Sequence, residues 1–598
     1  MSSTSSSPAT KGSSRWSWRG SRGSTPAAVT PDNVSEVGDH LGRTSLDPGR
    51  DDADQAPALP TGDDLGLADE LQGDLDSEQG KFKALLGILR KTISVKDLSS
   101  VRISLPANIM EPIGTLEHWT YIDRPDFFAS LAALDDDADE LERLLAVLRF
   151  KFTIWLKYAK HPIAKSFNSV LGEHFRAVYD TAPLELDPHD GHPVPTAHLD
   201  DNPLPEVLAC AGRPSSSSNV TAAAALKSTP SVTSISRRPK PSSSTLPSSA
   251  SSIASASSSV APSSSAASSR PQRTARVVIL NEQTSHHPPI SHFLCEARLA
   301  SSSSSSSGGG CASGEPTERV VRLRGVDQLS AKFTGANVRI VPGQHNKGLF
   351  LELADGEEFH MTHPVAAVAG LIRASPYATI SDVVTVTSVR EGRGKAGQDG
   401  SRKRLRAIVE YREESWISRP RFAVEGVVYE SVAGEVDGGG DKQQQQQQQR
   451  FSRIKQVPKE RVVGTLEGNW RGEIRWKKAG ETTSTTLVDL VPLAVAPKTV
   501  APLSEQDELE TRRVWAPVID ALHNKDFATA SREKQRIEQA QRDKADERKK
   551  KGESYVPRFF EPEPEDVSTW DGRPVLSAAG RAVLEHDFRA DYGGESAA

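Results

Sequence analysis

The spacing of apolar side chains divides this chain into helical and extended stretches. From Lys81 onward Phe82, Leu85, Leu86 and Leu89 fall at i, i+3, i+4 and i+7, which predicts a short amphipathic helix. Lys81, Lys83, Arg90 and Lys91 flank it. Such a stripe fits either a helix packed on a core or a mobile lid that touches an anionic bilayer. Ile103 to Pro112 reads as extended and broken by prolines. From Asp135 to Tyr158 the pattern is strongly helical: Leu141, Leu144, Leu145 and Leu148 share a face, followed by Phe150, Phe152, Trp155 and Leu156. Between Ala275 and Val495 roughly ten short alternating or β-branched runs, separated by Gly, Pro or charged turns, predict a sandwich or barrel. Ala275–Asn281, Val320–Arg324, Asp382–Val389, Leu405–Tyr411 and Phe451–Val457 are examples. Past Ser504 a charged helical stretch runs from Glu505 to about Lys551.

Four stretches interrupt this pattern: a Ser/Ala/Pro tract at 211–272, a Ser/Gly tract at 301–318, a Gly/Lys/Arg-rich run at 391–403, and a Gly cluster with seven glutamines at 433–450. They lack the apolar residues that offset ordering entropy. Because loop-closure cost grows only logarithmically with length, they read as expanded surface loops of one domain, residues 76–598. Residues 1–75 are polar and without periodicity, and are expected to be a disordered tail.

Composition narrows the function. Of the 598 residues 36% are hydrophobic, and the formal charge of −6 excludes a uniformly basic nucleic-acid-coating protein, so no nucleic-acid partner is expected. Cys210, Cys295 and Cys311 are too few and scattered for a disulfide framework or zinc knuckle, which favours a reducing compartment. Residues 1–30 lack the apolar centre of a signal peptide, and no uncharged run of about 18 apolar residues occurs. A cytoplasmic protein, peripheral on any membrane it serves, is the expectation.

The run Glu282-Gln283-Thr284-Ser285-His286-His287-Pro288-Pro289-Ile290-Ser291 places two adjacent histidines before a double proline. Two prolines cannot continue a strand interior, so the backbone must leave its sheet there and hold the imidazoles at a rim. Neighbouring side chains on a strand point to opposite faces, so these histidines suit a shared metal poorly, and no HExxH spacing occurs. No Gly-x-Ser-x-Gly elbow or Walker loop is present either. A metal-dependent hydrolase is the remote alternative. No enzyme, cofactor or metal is expected.

This run resembles the Glu-Gln-x-Ser-His-His-Pro-Pro fingerprint of the oxysterol-binding protein family and departs from it nowhere. The segment Lys165-Ser166-Phe167-Asn168-Ser169-Val170-Leu171-Gly172-Glu173 resembles that family's Lys-Pro-(Phe/Tyr)-Asn-Pro-(Leu/Ile/Val)-Leu-Gly-Glu, with Ser166 and Ser169 at the two proline positions, which loosens the backbone. Lys534, Glu538 and Arg542 follow i, i+4, i+8 and share one helix face. By themselves they describe a solvated ion-pair ladder worth a few tenths of a kcal/mol per pair. Beside the histidine fingerprint they resemble the family's Lys-x3-Glu-x3-Arg helix. Gly343–Phe350, Glu358–Pro364, Leu466–Trp470 and Tyr555–Phe560 extend the similarity.

The resemblance implies an α+β fold, mostly antiparallel β: an incomplete, many-stranded, barrel-like sheet around a lipid tunnel. It adds an N-terminal lid (Phe82, Leu85, Leu86, Leu89 and Leu105) and C-terminal helices. It implies a phosphatidylinositol 4-phosphate headgroup site made of Lys165, Asn168, Glu173, His286, His287, Lys534, Glu538 and Arg542. The implied function is a carrier, a monomer working at anionic membrane surfaces, that exchanges this lipid for a sterol or phosphatidylserine, sterol being favoured. A sensor that binds without transporting is the alternative. No pleckstrin-homology or ankyrin pattern is seen.

Overall fold

The computed structural model describes residues 110–161, 163, 165–200, 274–300, 318–333, 337–370, 377–389, 404–415, 418–431 and 451–592. The expected tail, the lid residues Phe82, Leu85, Leu86, Leu89 and Leu105, and nearly all of the four inserts lie outside them. Glu318, at the edge of the second insert, already belongs to a strand.

Four short helices come first: α1 (Thr115–His118), α2 (Pro125–Ser130), α3 (Glu140–Thr153) and α4 (Leu156–Lys160). Strand β1 (His174–Thr181) and a small hairpin, β2 (Glu185–Leu186) with β3 (Pro193–Val194), follow. Next are β4 (Ala275–His286), β5 (Pro289–Ala300), β6 (Glu318–Asp327), β7 (Leu329–Phe333) and β8 (Val338–Pro342). Then come β9 (Leu349–Glu352), β10 (Glu358–Met361), β11 (Val365–Ala369) and β12 (Tyr377–Ser388). The sheet ends with β13 (Arg404–Tyr411), β14 (Ala423–Ser431), β15 (Val462–Asn469), β16 (Glu473–Lys478) and β17 (Thr485–Asp489). Helices α5 (Thr511–His523), α6 (Phe527–Lys551) and α7 (Ala578–Arg589) close the described chain.

Among the described residues one 15-stranded sheet runs β1-β4-β5-β6-β9-β10-β12-β13-β14-β15-β16-β17, with β7, β8 and β11 as a side arm joined to β12. All of its pairings are antiparallel. β1 and β17 end the path and do not pair with each other, so the sheet is an unclosed barrel. It curls because one apolar cluster takes in Phe127 and Phe128 of α2, Leu144 to Phe152 of α3, Ile279 of β4 and Val488 of β17. Strands from both ends of the path thus share the same helices as their core.

The unbroken apolar run Val277–Leu280 shows why simple alternation fails in β4. Val277 and Ile279 join the central cluster, while Val278 and Leu280 pack under Phe559, Phe560, Leu576 and Leu584. Both faces are covered, so neither needs polar side chains.

The helical stretch expected over Asp135–Tyr158 is two helices. Asp139 caps α3 by accepting from the Glu142 N–H at 2.7 Å, and Asp135–Asp137 stay exposed ahead of it. A break at Ile154 and Trp155 separates α3 from α4. The charged stretch past Ser504 is likewise two helices, α5 and α6.

One expected strand is corrected. Phe451–Val457 contains a 3₁₀ turn at Ile454–Gln456. Its apolar residues Phe451, Ile454 and Val457 recur every third position, the 3₁₀ period, and pack together against Tyr429. The Gln456 side-chain oxygen accepts from the N–H groups of Ser452 (2.7 Å) and Arg453 (3.0 Å), closing the turn.

Phe128 is fully buried, with its ring centroid 5.2 Å from that of Phe150. Phe128→Ala is expected to lower the unfolding free energy by about 3–5 kcal/mol, read from urea denaturation.

Candidate functional site

Lys165 opens a segment that is held rigidly although serines stand at both of its proline-like positions. The Glu111 N–H donates to the Lys165 carbonyl, the Phe167 N–H to Ile113 O and the Thr115 N–H to Phe167 O, each at 3.0 Å. Ser166 is buried, its hydroxyl 3.0 Å from that of Thr115. Phe167 is fully buried and stacks on Trp515 of α5, centroids 4.7 Å apart. Hydrogen bonds and stacking thus supply the stiffness that ring closure would otherwise give.

The segment turns into the sheet at Gly172, whose φ of +81° favours glycine; a Cβ there would also lie 2.9 Å from the Tyr555 hydroxyl. The Gly172 N–H donates to Gln283 O (2.9 Å) and the Gln283 N–H to Glu173 O (2.8 Å). His174 then pairs with Glu282 as β1 begins. The Lys165 segment therefore enters beside the strand that ends in the two histidines.

Glu173 is fully buried and turned inward. Its carboxylate accepts from the Val170 N–H (2.9 Å), the Thr511 hydroxyl (2.9 Å) and the Trp515 indole N–H (3.1 Å). Burial pushes its pKa up from 4.5 to about 7, against the opposing pull of these donors. As placed here it ties the Lys165 segment to α5.

The Lys165 amine donates to the Asn168 side-chain oxygen at 2.9 Å and to Ser166 O at 2.7 Å. Burial pushes its pKa down to about 8; the charge of Lys534 lowers it further and that of Glu538 opposes this. These effects require α6 to pass close by. Lys534 is only 5% exposed and its amine donates to Glu538 at 2.6 Å. Ala530 and Ile537 beside it pack with Met110, Phe167, Val170 and Trp515, so Lys534 sits on the inner face of α6. The solvated-ladder description fails for this pair and holds further round the helix, where exposed Arg536 bonds Glu533 (2.8 Å). Arg542 is also exposed and donates to Gln539 at 3.1 Å. It lies about 12 Å along the axis from Lys534, at 1.5 Å per residue.

His286 and His287 form the tip of the β4–β5 hairpin, with His286 opposite Pro289 in the register. The prolines end one strand and open the next, the strand position that tolerates a missing N–H. Since His287 already belongs to the turn, the two rings meet instead of splaying: centroids are 4.5 Å apart and His286 Nδ1 lies 3.2 Å from His287 Nε2. His286 is half-buried and His287 exposed. At the hairpin base Glu282 is fully buried and accepts from the Tyr555 hydroxyl (3.0 Å) and the N–H groups of Arg558 (2.6 Å) and Phe559 (2.8 Å). Tyr555 thus bridges Gly172 and the hairpin strand.

The structure brings Lys165, Asn168, Lys534 and Glu538 together and places the histidine hairpin on the strand beside their segment. No set of three His, Cys, Asp or Glu side chains among the described residues is arranged to hold a metal.

Motif reading passes over a second group, inside the sheet. Tyr158 packs among His118, Trp119 and Trp155, centroids 5.8–6.1 Å away. Tyr121 donates to Asp327 at 2.6 Å and its ring lies 5.7 Å from that of His363. The Tyr158 hydroxyl, Trp155 Nε1 and His363 Nε2 are buried without hydrogen-bond partners among the described residues. The available signal is Trp155 and Tyr158 three residues apart, two aromatics with polar handles at the start of α4.

The raised pKa of Glu173 has a consequence for stability. Its folded state holds the proton more tightly than the unfolded chain, so the stabilisation is full below about pH 4.5 and is lost as pH rises through 7. Relative to Glu173→Gln, the wild type is expected to lose about 3 kcal/mol between about pH 4.5 and 8, measured by urea unfolding across that range.

A model of the oxysterol-binding protein family matches residues 84–189 and 267–575. Oxysterol-binding protein-like protein 1 of Schizosaccharomyces pombe is 37% identical over 532 residues, which cover 88% of this chain and 94% of that protein. Among solved structures, the Osh1 ORD domain in complex with cholesterol aligns over 85% of this chain and 90% of its own, at 15% identity and a TM-score of 0.44. The Osh3 ORD of Saccharomyces cerevisiae in complex with PI(4)P aligns over 86% and 94%, again at 15% and 0.44. With the family model spanning well over half of its length and a relative this similar along nearly all of it, the chain belongs to the oxysterol-binding protein family.

Proposed function

We propose that this protein is a lipid carrier, not an enzyme, that binds phosphatidylinositol 4-phosphate with its headgroup at the Lys165–α6–hairpin site and exchanges it for a sterol between membranes. The observation that carries this reading is the approach of Lys165, half-buried, to buried Lys534 on α6, with Glu538 bonded to the latter. Burial and the charge of Lys534 both disfavour the charged Lys165 amine, and a bound phosphate dianion relieves this. Asn168 positions the Lys165 amine and Glu538 that of Lys534. The histidine pair contributes ring N–H donors whose charged forms a phosphate favours. Glu173 acts from beneath as a brace, and Arg542 extends the cationic face along α6.

The cargo follows from the interior. Buried polar atoms without partners are uncommon in native proteins. Tyr158, Trp155 and His363 supply three such atoms amid an apolar core. A largely apolar molecule with one hydroxyl fits such a lining better than one with an anionic phosphoserine head, which favours a sterol over phosphatidylserine. Competition of both lipids for one interior couples their movement: the phosphoinositide gradient then drives the sterol against its own.

Mass spectrometry of lipids co-purifying with the protein is expected to find a sterol and a phosphoinositide. Wild type extracts phosphatidylinositol 4-phosphate from liposomes, and the double variant His286→Ala, His287→Ala does not. Lack of extraction by the wild type, or turnover with stoichiometric zinc, would overturn the proposal. Extraction without bidirectional vesicle transfer would make the protein a sensor instead.

Affinity for soluble, short-chain phosphatidylinositol 4-phosphate should fall by up to about tenfold per pH unit above pH 8 as free Lys165 loses its proton. Lys165→Gln should weaken binding and flatten that decline, as read by isothermal titration calorimetry.

A further inference from the structure

The last turn of α6 and the chain beyond it carry charge that the headgroup site leaves unused. Arg548, Lys549, Lys550 and Lys551 end the helix, and Gly552 stops it with a left-handed φ of 66°. From Arg548 to Arg558 there are five cationic side chains and one acidic one, Glu553. Cations suit a helix C-terminus. The terminal carbonyls are nonetheless already served by the backbone, Gly552 N donating to Lys549 O and Glu553 N to Arg548 O. Lys549, Lys550 and Lys551 project exposed, beyond what capping requires.

Four residues after Gly552 stands Val556, at 68% the most exposed of the large hydrophobic residues among those described. It is held firmly. Tyr555 before it and the Arg558 N–H after it are both anchored on buried Glu282, at the base of the hairpin that carries His286 and His287. Val556 follows the three exposed lysines by five residues and precedes Arg558, which also bonds Asp507 at 2.7 Å. An exposed apolar side chain next to a lysine cluster in the chain matches one partner chemistry well: an anionic bilayer, where amines meet lipid phosphates and the valine enters the headgroup–acyl boundary. A protein partner would call for a broader apolar patch, and a nucleic acid for a longer basic stripe than one helical turn.

We propose that the surface formed by Lys549, Lys550, Lys551, Val556 and Arg558 docks the protein on anionic membranes, with the headgroup site's hairpin beside the bilayer. This rests on the carrier reading and names the face by which that site reaches its lipid.

Vesicle flotation of the full chain tests it, using phosphatidylcholine vesicles with and without phosphatidylserine and no phosphoinositide. Each lysine near a charged surface contributes about fivefold to partitioning. The triple variant Lys549→Gln, Lys550→Gln, Lys551→Gln is therefore expected to bind phosphatidylserine vesicles roughly a hundredfold more weakly. Val556→Asp is expected to lose about tenfold on the same vesicles, beyond any effect of salt. Calorimetry with soluble phosphatidylinositol 4-phosphate should give wild-type affinity for both variants, which also shows that they are folded. Undiminished flotation of the triple variant, or retention of the wild type by RNA and not by anionic vesicles, would overturn the docking surface. Failure of the wild type to bind the soluble phosphoinositide would instead strike the headgroup site and leave the flotation result standing.

Discussion

Two buried carboxylates, Glu173 and Glu282, hold this end of the molecule together. They sit at adjoining points where β1 meets β4, both without solvent exposure. A carboxylate out of water is costly unless donors surround it. Each has three; the Val170 N–H is local, and the other five come from segments distant in the sequence. Glu173 collects the turn at Val170 and the start of α5, while Glu282 collects the segment that follows α6. The requirement to satisfy these oxygens draws the sheet, the Lys165 segment and the C-terminal helices into one assembly.

The cationic character of the site follows from that assembly. Lys165 and Lys534 lie on segments far apart in sequence, each tied down by apolar packing around Phe167 and Trp515. At Lys165 the charge of Lys534 disfavours the protonated amine and that of Glu538 opposes this. Desolvation is the larger cause of the shift at Lys165, with the neighbouring lysine second. Packing around Phe167 and Trp515 thus keeps Lys165 within reach of the charges on α6.

Much of the architecture was legible in the residues themselves. The double proline after His287 announced the end of β4 because proline lacks an N–H, and the hairpin tip lies there. The apolar stripe from Leu141 to Leu148 announced α3. Other features were less visible. Phe451, Ile454 and Val457 have strand-type side chains, and only their three-residue recurrence distinguishes the 3₁₀ turn they form. Between Ala275 and Val495 the described strands outnumber the runs read from sequence, since pieces of four or five residues such as β9, β10 and β11 are too short to show a period.

The sequence by itself determined which chemistry was on offer: paired imidazoles at a strand end, a lysine–asparagine pair, and a lysine–glutamate–arginine spacing on one helix. Local patterns carry that information because backbone geometry sets side-chain direction over a few residues. Only the tertiary structure decided the roles within that set. It turned Glu173 inward as a brace, buried Lys534 against Ile537 and Ala530, left Arg542 on the exposed surface, and placed the Tyr158 hydroxyl, Trp155 Nε1 and His363 Nε2 in an interior where they have no hydrogen-bond partner among the described residues. Those outcomes depend on which distant segments exclude water from one another, a property of contacts across the fold that no stretch of neighbouring residues contains.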